Sequence, residues 1–196
     1  MLVLVLGPEH PDTLTTMNNL AHILWSLSDY PRARELQEQV IEANSRVLGP
    51  EHPSTLVAMD NLALTLRSLG EYMDARELQE QVLEAFTRVL GVEHPYTLTA
   101  MNNLATTLWS LGEYTEARDL QEQVVGARTR ILGPEHPSTL TAMNGLALTL
   151  WDQGDLAGAL ELLEEVVETH TRVLGPEHPD TLTAMGNLDE LRAEMK

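Results

Sequence analysis

The sequence predicts an all-α fold, a solenoid of stacked antiparallel helix pairs. Three observations carry this. The hexapeptide Leu48-Gly49-Pro50-Glu51-His52-Pro53 recurs at Leu6, Leu90, Leu132 and Leu174, always 42 residues on, with Val92 for proline as its one change. A second block, Met-x-x-Leu-Ala, starts at Met17, Met59, Met101 and Met143, and again at Met185, where Asp189 replaces the alanine. Between the links, apolar residues keep helical spacing. Leu14, Met17, Ala21, Leu24 and Leu27 share one face, and Ala33, Leu36, Val40, Ala43 and Val47 make a second stripe. A period of 42 also suits a propeller. Strands, however, need period-2 alternation and β-formers, and the chain has only three Trp, four Tyr and one Phe.

Met1 to Leu6 matches the last turn of a second helix, with Leu4 standing where the repeat has Arg46. The link follows. Gly49 suits the positive-φ end of a helix, and Pro50 stops its continuation. His52 before Pro53 is pushed extended, and Pro53 opens the next helix at its first position. Gly70 and Gly112, ahead of Tyr72 and Tyr114, mark the turn inside a pair. First helices are predicted near residues 11–27, 53–69, 95–111, 137–153 and 179–194, and second helices near 30–48, 72–90, 114–132 and 156–174. No composition shift breaks the pattern, so the chain reads as one array over 1–196. Residues 1–10 end a preceding helix and link, four repeats cover 11–52, 53–94, 95–136 and 137–178, and 179–196 is a half repeat.

Leu62-Ala63, Leu66, Gly70, Tyr72 and Ala75 resemble the tetratricopeptide pattern of small and large residues. The 42-residue unit, with its Leu-Gly-x-x-His-Pro link and Asn-Asn-Leu-Ala core, resembles the kinesin-light-chain type of that repeat. The resemblance spans essentially the whole chain. It implies a right-handed superhelix whose first helices line a concave groove. It implies no reaction, because the family shares a scaffold.

Charge and composition exclude several function classes. Twelve Lys+Arg against 30 Asp+Glu leave a formal net charge of −18, which disfavours nucleic acid and anionic membranes. No apolar run reaches the ~18 residues of a membrane span. The absence of cysteine removes disulfides, thiolate metal sites and a cysteine nucleophile. Met1 to Leu6 is too short for a signal peptide, so the expected location is the cytoplasm. No phosphate-cradling loop, dinucleotide fingerprint, His-Glu-x-x-His or nucleophile elbow occurs. His10, His52, His94, His136 and His178 share one link position, which points to structural capping. Repeats lie ~8–10 Å apart, too far for neighbouring link histidines to share a metal directly. Glu35, Glu38 and Glu42 fall on a solvated helix face. The expectation is no enzyme, no cofactor and no metal.

The resemblance assigns to the groove the stripe one residue past the core stripe. In the first repeat this is Thr15, Asn18, His22 and Trp25. The later repeats supply Val57, Asp60, Leu64 and Arg67, then Thr99, Asn102, Thr106 and Trp109, then Thr141, Asn144, Leu148 and Trp151. All three tryptophans share one repeat position, which Arg67 fills in the second repeat. They either anchor a ligand or cover the adjacent helix and seal the stack. Asn18, Asn102 and Asn144 form an amide row with Asp60 and Gly186 as departures. Asn19, Asn61, Asn103 and Asn187 form a second row, with Gly145 as its exception. An amide both donates and accepts, so such a row can grip an extended backbone, as groove asparagines do in kinesin-light-chain arrays. The alternative is that one row bonds neighbouring repeats. The function read from these features is a non-catalytic scaffold binding an extended protein or peptide segment, basic or basic-apolar given the acidic surround. Two alternatives stay open. One is end-to-end self-association through an apolar face at Leu182, Met185 and Leu188. The other is the sensor array of a larger signalling NTPase or protease.

Overall fold

The computed structural model describes residues 7–196; the expectations placed on Met1 to Leu6 lie outside the described residues. Among the described residues there are nine helices and no strand. The helices are α1 (Pro11–Ser26), α2 (Tyr30–Val47), α3 (Pro53–Ser68), α4 (Tyr72–Leu90), α5 (Pro95–Ser110), α6 (Tyr114–Leu132), α7 (Pro137–Asp152), α8 (Leu156–Val173) and α9 (Pro179–Glu194). Each boundary falls within one residue of its sequence expectation. The chain forms two compact units that meet inside α5, one ending at Thr107 and one beginning at Leu108. In the first unit α1 packs on α2, α2 on α3 and α3 on α4. In the second α6 packs on α7, α7 on α8 and α8 on α9.

Local chemistry explains the helix ends. His52 has extended backbone (φ −66°, ψ 138°), and its side chain accepts a hydrogen bond from the Ser54 N–H at 3.2 Å. His10, His94, His136 and His178 accept likewise from Asp12, Tyr96, Ser138 and Asp180. Each imidazole thus satisfies one of the orphan N–H groups of a helix N-terminus. A second lock comes from a buried threonine. Thr55 Oγ1 donates to the Gly49 carbonyl at 2.8 Å, and Thr97, Thr139 and Thr181 repeat the bond to Gly91, Gly133 and Gly175. The turn inside each pair uses positive φ at Gly70, Gly112 and Gly154. The first pair places Ser28 there, at φ 62°.

Small residues set the helix spacing. Ala33, Ala75, Ala117 and Ala159 on the second helices are fully buried, as are Ala63, Ala105 and Ala147 on the first helices. Val40, Val82, Val124 and Val166 fill the layer beside them. Arg88 pairs with Glu51 at 2.7 Å and Arg172 with Glu135 at 2.9 Å, both on the surface, where such pairs contribute little. Arg46 and Glu9 form the same pair in the first repeat.

The C-terminal helix departs from one expectation. Leu188 is not on an open apolar face: it is 5% exposed and belongs to the core with Leu146, Ala147, Leu150 and Leu163. Leu182 is 55% exposed. Beyond Leu188, Asp189 and Arg192 are exposed at positions that are buried alanine and leucine in the preceding repeat, Ala147 and Leu150. Arg192 reaches Glu164 at 2.7 Å.

Candidate functional site

In the first unit, α1 and α3 lie side by side with the second-helix residue Gln37 beneath them. A cavity of about 150 Å³ opens there, lined by Asn18, His22, Trp25, Gln37, Asn61 and Leu64. Four of these six, Asn18, His22, Trp25 and Leu64, belong to the stripe named from the sequence, and Asn61 belongs to the second amide row beside it. Asn18 and Trp25 are half-buried, while Asn19, His22 and Asn61 are exposed. The His22 and Trp25 rings lie 6.3 Å apart, and the Tyr30 ring lies at the same distance from the indole.

The tryptophans, and second-row amides bonded to first-row positions, tie neighbouring repeats together. Trp25 Nε1 donates to Ser68 Oγ at 3.2 Å, 43 residues on. Asn103 Nδ2 donates to Asp60 Oδ2 at 2.8 Å, again 43 residues apart. A 42-residue repeat therefore bonds one repeat to the next residue position of its neighbour. The indole and amide edges serve this seam while part of each ring stays in solvent. Asn102 and Thr106 are half-buried, and the Asn102 carbonyl accepts from Thr106 Oγ1 at 2.9 Å.

Asp60 and Arg67 are the charged departures in this unit. Asp60 is 9% exposed, and its Oδ1 has no hydrogen-bond partner among the described residues. Burial pushes its carboxyl up to about 6, against the Asn103 hydrogen bond and the charge of Arg67, which both favour the ionised form. Burial also pulls the Arg67 guanidinium down, opposed by Tyr72 and Asp60. The second repeat thus carries an acid and a guanidinium where other repeats carry an amide and an indole.

The second unit repeats the seam. Trp109 Nε1 donates to Asp152 at 2.6 Å and Trp151 Nε1 to Glu194 at 2.7 Å. Asn187 Nδ2 donates to Asn144 Oδ1 at 3.1 Å. Trp109 is 38% exposed; Trp151 and Leu148 are half-buried. Gly145 faces Gln121, where a Cβ would meet Nε2 at an ordinary 3.6 Å.

One column escaped the sequence reading. Gln37, Gln79 and Gln121 recur at 42-residue spacing and are buried. Gln37 Nε2 donates to the Asn61 carbonyl at 3.3 Å, while its Oε1, the Gln121 Oε1 and both amide atoms of Gln79 have no partner among the described residues. The repeated Leu-Gln-Glu-Gln of the second helices was the available signal. A buried polar column is unusual, and only its recurrence sets it apart from an exposed helix face.

Among the described residues no group of three His, Asp or Glu side chains could hold a metal, and no helix is long and apolar enough to cross a membrane.

Comparison with known proteins agrees with the geometry. One tetratricopeptide-repeat model matches residues 2–45, 12–72 and 60–129, and a second matches 139–180. No curated protein matches significantly. Among solved structures, the chain is similar to the nearly identical TPR-like repeats of a protein named as a kinesin light chain in Podosopora anserina. It is 34% identical there, covering 94% of this chain and 88% of that one, with a TM-score of 0.82. A Q17M form of those repeats gives 34% identity, coverage of 94% and 87%, and a TM-score of 0.83. BtubC (BKLC) from P. vanneervenii shares the fold at 18% identity, coverage of 93% and 72%, and a TM-score of 0.81. This repeat is a non-catalytic scaffold that generally serves protein–protein interaction. The chain belongs to the tetratricopeptide-repeat family, in its kinesin-light-chain-like form.

Proposed function

We propose that the array binds an extended peptide segment of a partner protein on the stripe presented by its first helices. The observation that carries this reading is the cavity between α1 and α3, which gathers Asn18, His22, Trp25, Asn61 and Leu64 around one opening. Asn18 and Asn61 offer donor and acceptor atoms to a peptide backbone, Leu64 an apolar wall, and the open part of the Trp25 ring a flat surface. The indole N–H is already engaged with Ser68, so a ligand meets the face of the ring and not its edge. A net charge of −18 steers basic segments toward the array.

Titration of basic, neutral and acidic extended peptides against the protein, followed by tryptophan fluorescence, tests the proposal. Basic peptides are expected to shift the emission, with an affinity that falls as salt rises. Asn18→Ala combined with Asn61→Ala should weaken binding by about tenfold, the worth of one or two hydrogen bonds. Among the described residues neither amide side chain bonds another helix, so helicity should not change. A response identical in the double variant, or no response to any peptide, would count against the reading.

A further inference from the structure

A cleft of about 490 Å³ opens in the first unit where the end of α2 meets the start of α3. Leu14, Val47, Leu48 and Val57 give it an apolar lining, Asn44 lies beneath, and the ring of Tyr96 stands at its side. Most of this cleft lies outside the stripe read from the sequence.

The 42-residue step identifies what the cleft lacks. The position of Asn44 is occupied by Phe86, Arg128 and His170 in the following repeats. Phe86 is buried and stacks on Tyr96, with ring centroids 5.7 Å apart and planes at 23°. Arg128 reaches across to the Ser138 carbonyl at 2.9 Å. Asn44 touches the equivalent carbonyl of Ser54 only at 3.5 Å. The core clusters show the same subtraction. Leu56, Val82, Ala85 and Ala100 surround Phe86, whereas their equivalents Leu14, Val40, Ala43 and Ala58 surround no ring. The partner ring is missing too, because Ser54 stands at the position of Tyr96.

A second substitution acts on the same wall. Val57 takes the place of Thr15, Thr99, Thr141 and Thr183 in the other repeats, so on the α3 side the wall carries a methyl where those repeats carry a hydroxyl, while Thr15 and Ser54 keep theirs in the lining. A smaller side chain below and a more apolar one beside it both open the first junction to an apolar guest.

We propose that this cleft receives one aromatic side chain of the bound peptide, seated as Phe86 is seated in the next repeat and flanked by the Tyr96 ring. The inference rests on the peptide-binding reading and adds a specificity subsite to it. Offset ring stacking and burial of the ring's apolar area supply the preference.

The test uses the whole chain and three probes: a basic Gly/Ser-rich peptide carrying one phenylalanine, the same peptide with alanine, and N-acetyl-phenylalanine amide. Binding is read by NMR at Tyr96, Val57 and Trp25. The phenylalanine peptide is expected to shift Tyr96 and Val57 and to bind about tenfold or more tightly than the alanine peptide. Asn44→Phe with Ser54→Tyr installs the pair found in the next repeat and should reduce the phenylalanine peptide to the alanine level. Val57→Thr, the residue of the other repeats, should weaken it to a smaller degree and covers the case in which the double variant folds poorly. Tight binding of the free amide alone, with no gain from the peptide, would mark a small-molecule site and overturn the proposal. Equal binding of both peptides would overturn it as well, while shifts at Trp25 would leave the groove reading standing. No shift with any probe would overturn both.

Discussion

At Asp60 the second repeat replaces an amide with an acid, and burial raises that acid to about 6. An aspartate in the unfolded chain titrates at about 3.9. The native chain therefore holds more protons between about pH 4 and 6, and stability falls as the pH rises through that window. Asp60→Asn restores the residue present at Asn18, Asn102 and Asn144. It should stabilise the fold by on the order of 2 kcal/mol at pH 7. The gain should fade below pH 4, as urea unfolding of both proteins across pH will show. The link histidines give a second residue-scale expectation. His136→Ala removes the acceptor for the Ser138 N–H and should cost about 1 kcal/mol, most of which His136→Asn should return. Thermal unfolding monitored by circular dichroism distinguishes the two variants.

Helices and turns obey local rules, so most of their detail was legible in advance. Proline at the first helical position, histidine before it and glycine at the preceding helix end each act within a turn of backbone. That is why the boundaries agree to within one residue. Ser28 is the exception that can be measured. It adopts φ 62° where the later repeats use glycine, a conformation costing an L-residue about 1 kcal/mol or more. Ser28→Gly should raise stability by about that amount, whereas Gly112→Ser should lower it. The packing between helices is similarly testable. Ala117 is fully buried, and Ala117→Leu should destabilise by about 1–3 kcal/mol through overpacking, seen as a lower urea midpoint at unchanged slope.

Over the whole molecule, 30 acidic residues face 12 basic ones. Several of the basic residues are engaged in pairs such as Arg88 with Glu51 and Arg172 with Glu135. The excess negative charge repels itself, so the melting temperature should rise between low and physiological ionic strength as screening shortens the range of that repulsion. A melting temperature that falls over the same range would mean the surface pairs outweigh the repulsion. Repeat-to-repeat bonding is the other whole-molecule feature. The 43-residue step of Trp25 to Ser68, Trp109 to Asp152 and Trp151 to Glu194 makes the same three indoles part of the stack and part of its exposed stripe. The sequence reading held these roles as alternatives. In the structure the edge of each ring serves one, and part of the ring surface remains available for the other.

Repeat length, helix type, helix ends and the residues sharing a face were determined by the sequence alone, because backbone chemistry and side-chain periodicity act over a few residues. Which side chains remain open was decided by tertiary structure. Gln37 is buried because a helix beginning sixteen residues later in the chain covers it, and Leu188 is buried because α7 and α8 pack against it. The cleft beside Asn44 lies where the next repeat holds the buried ring of Phe86. Such exposure is a property of two repeats in contact, and no window of one repeat contains it.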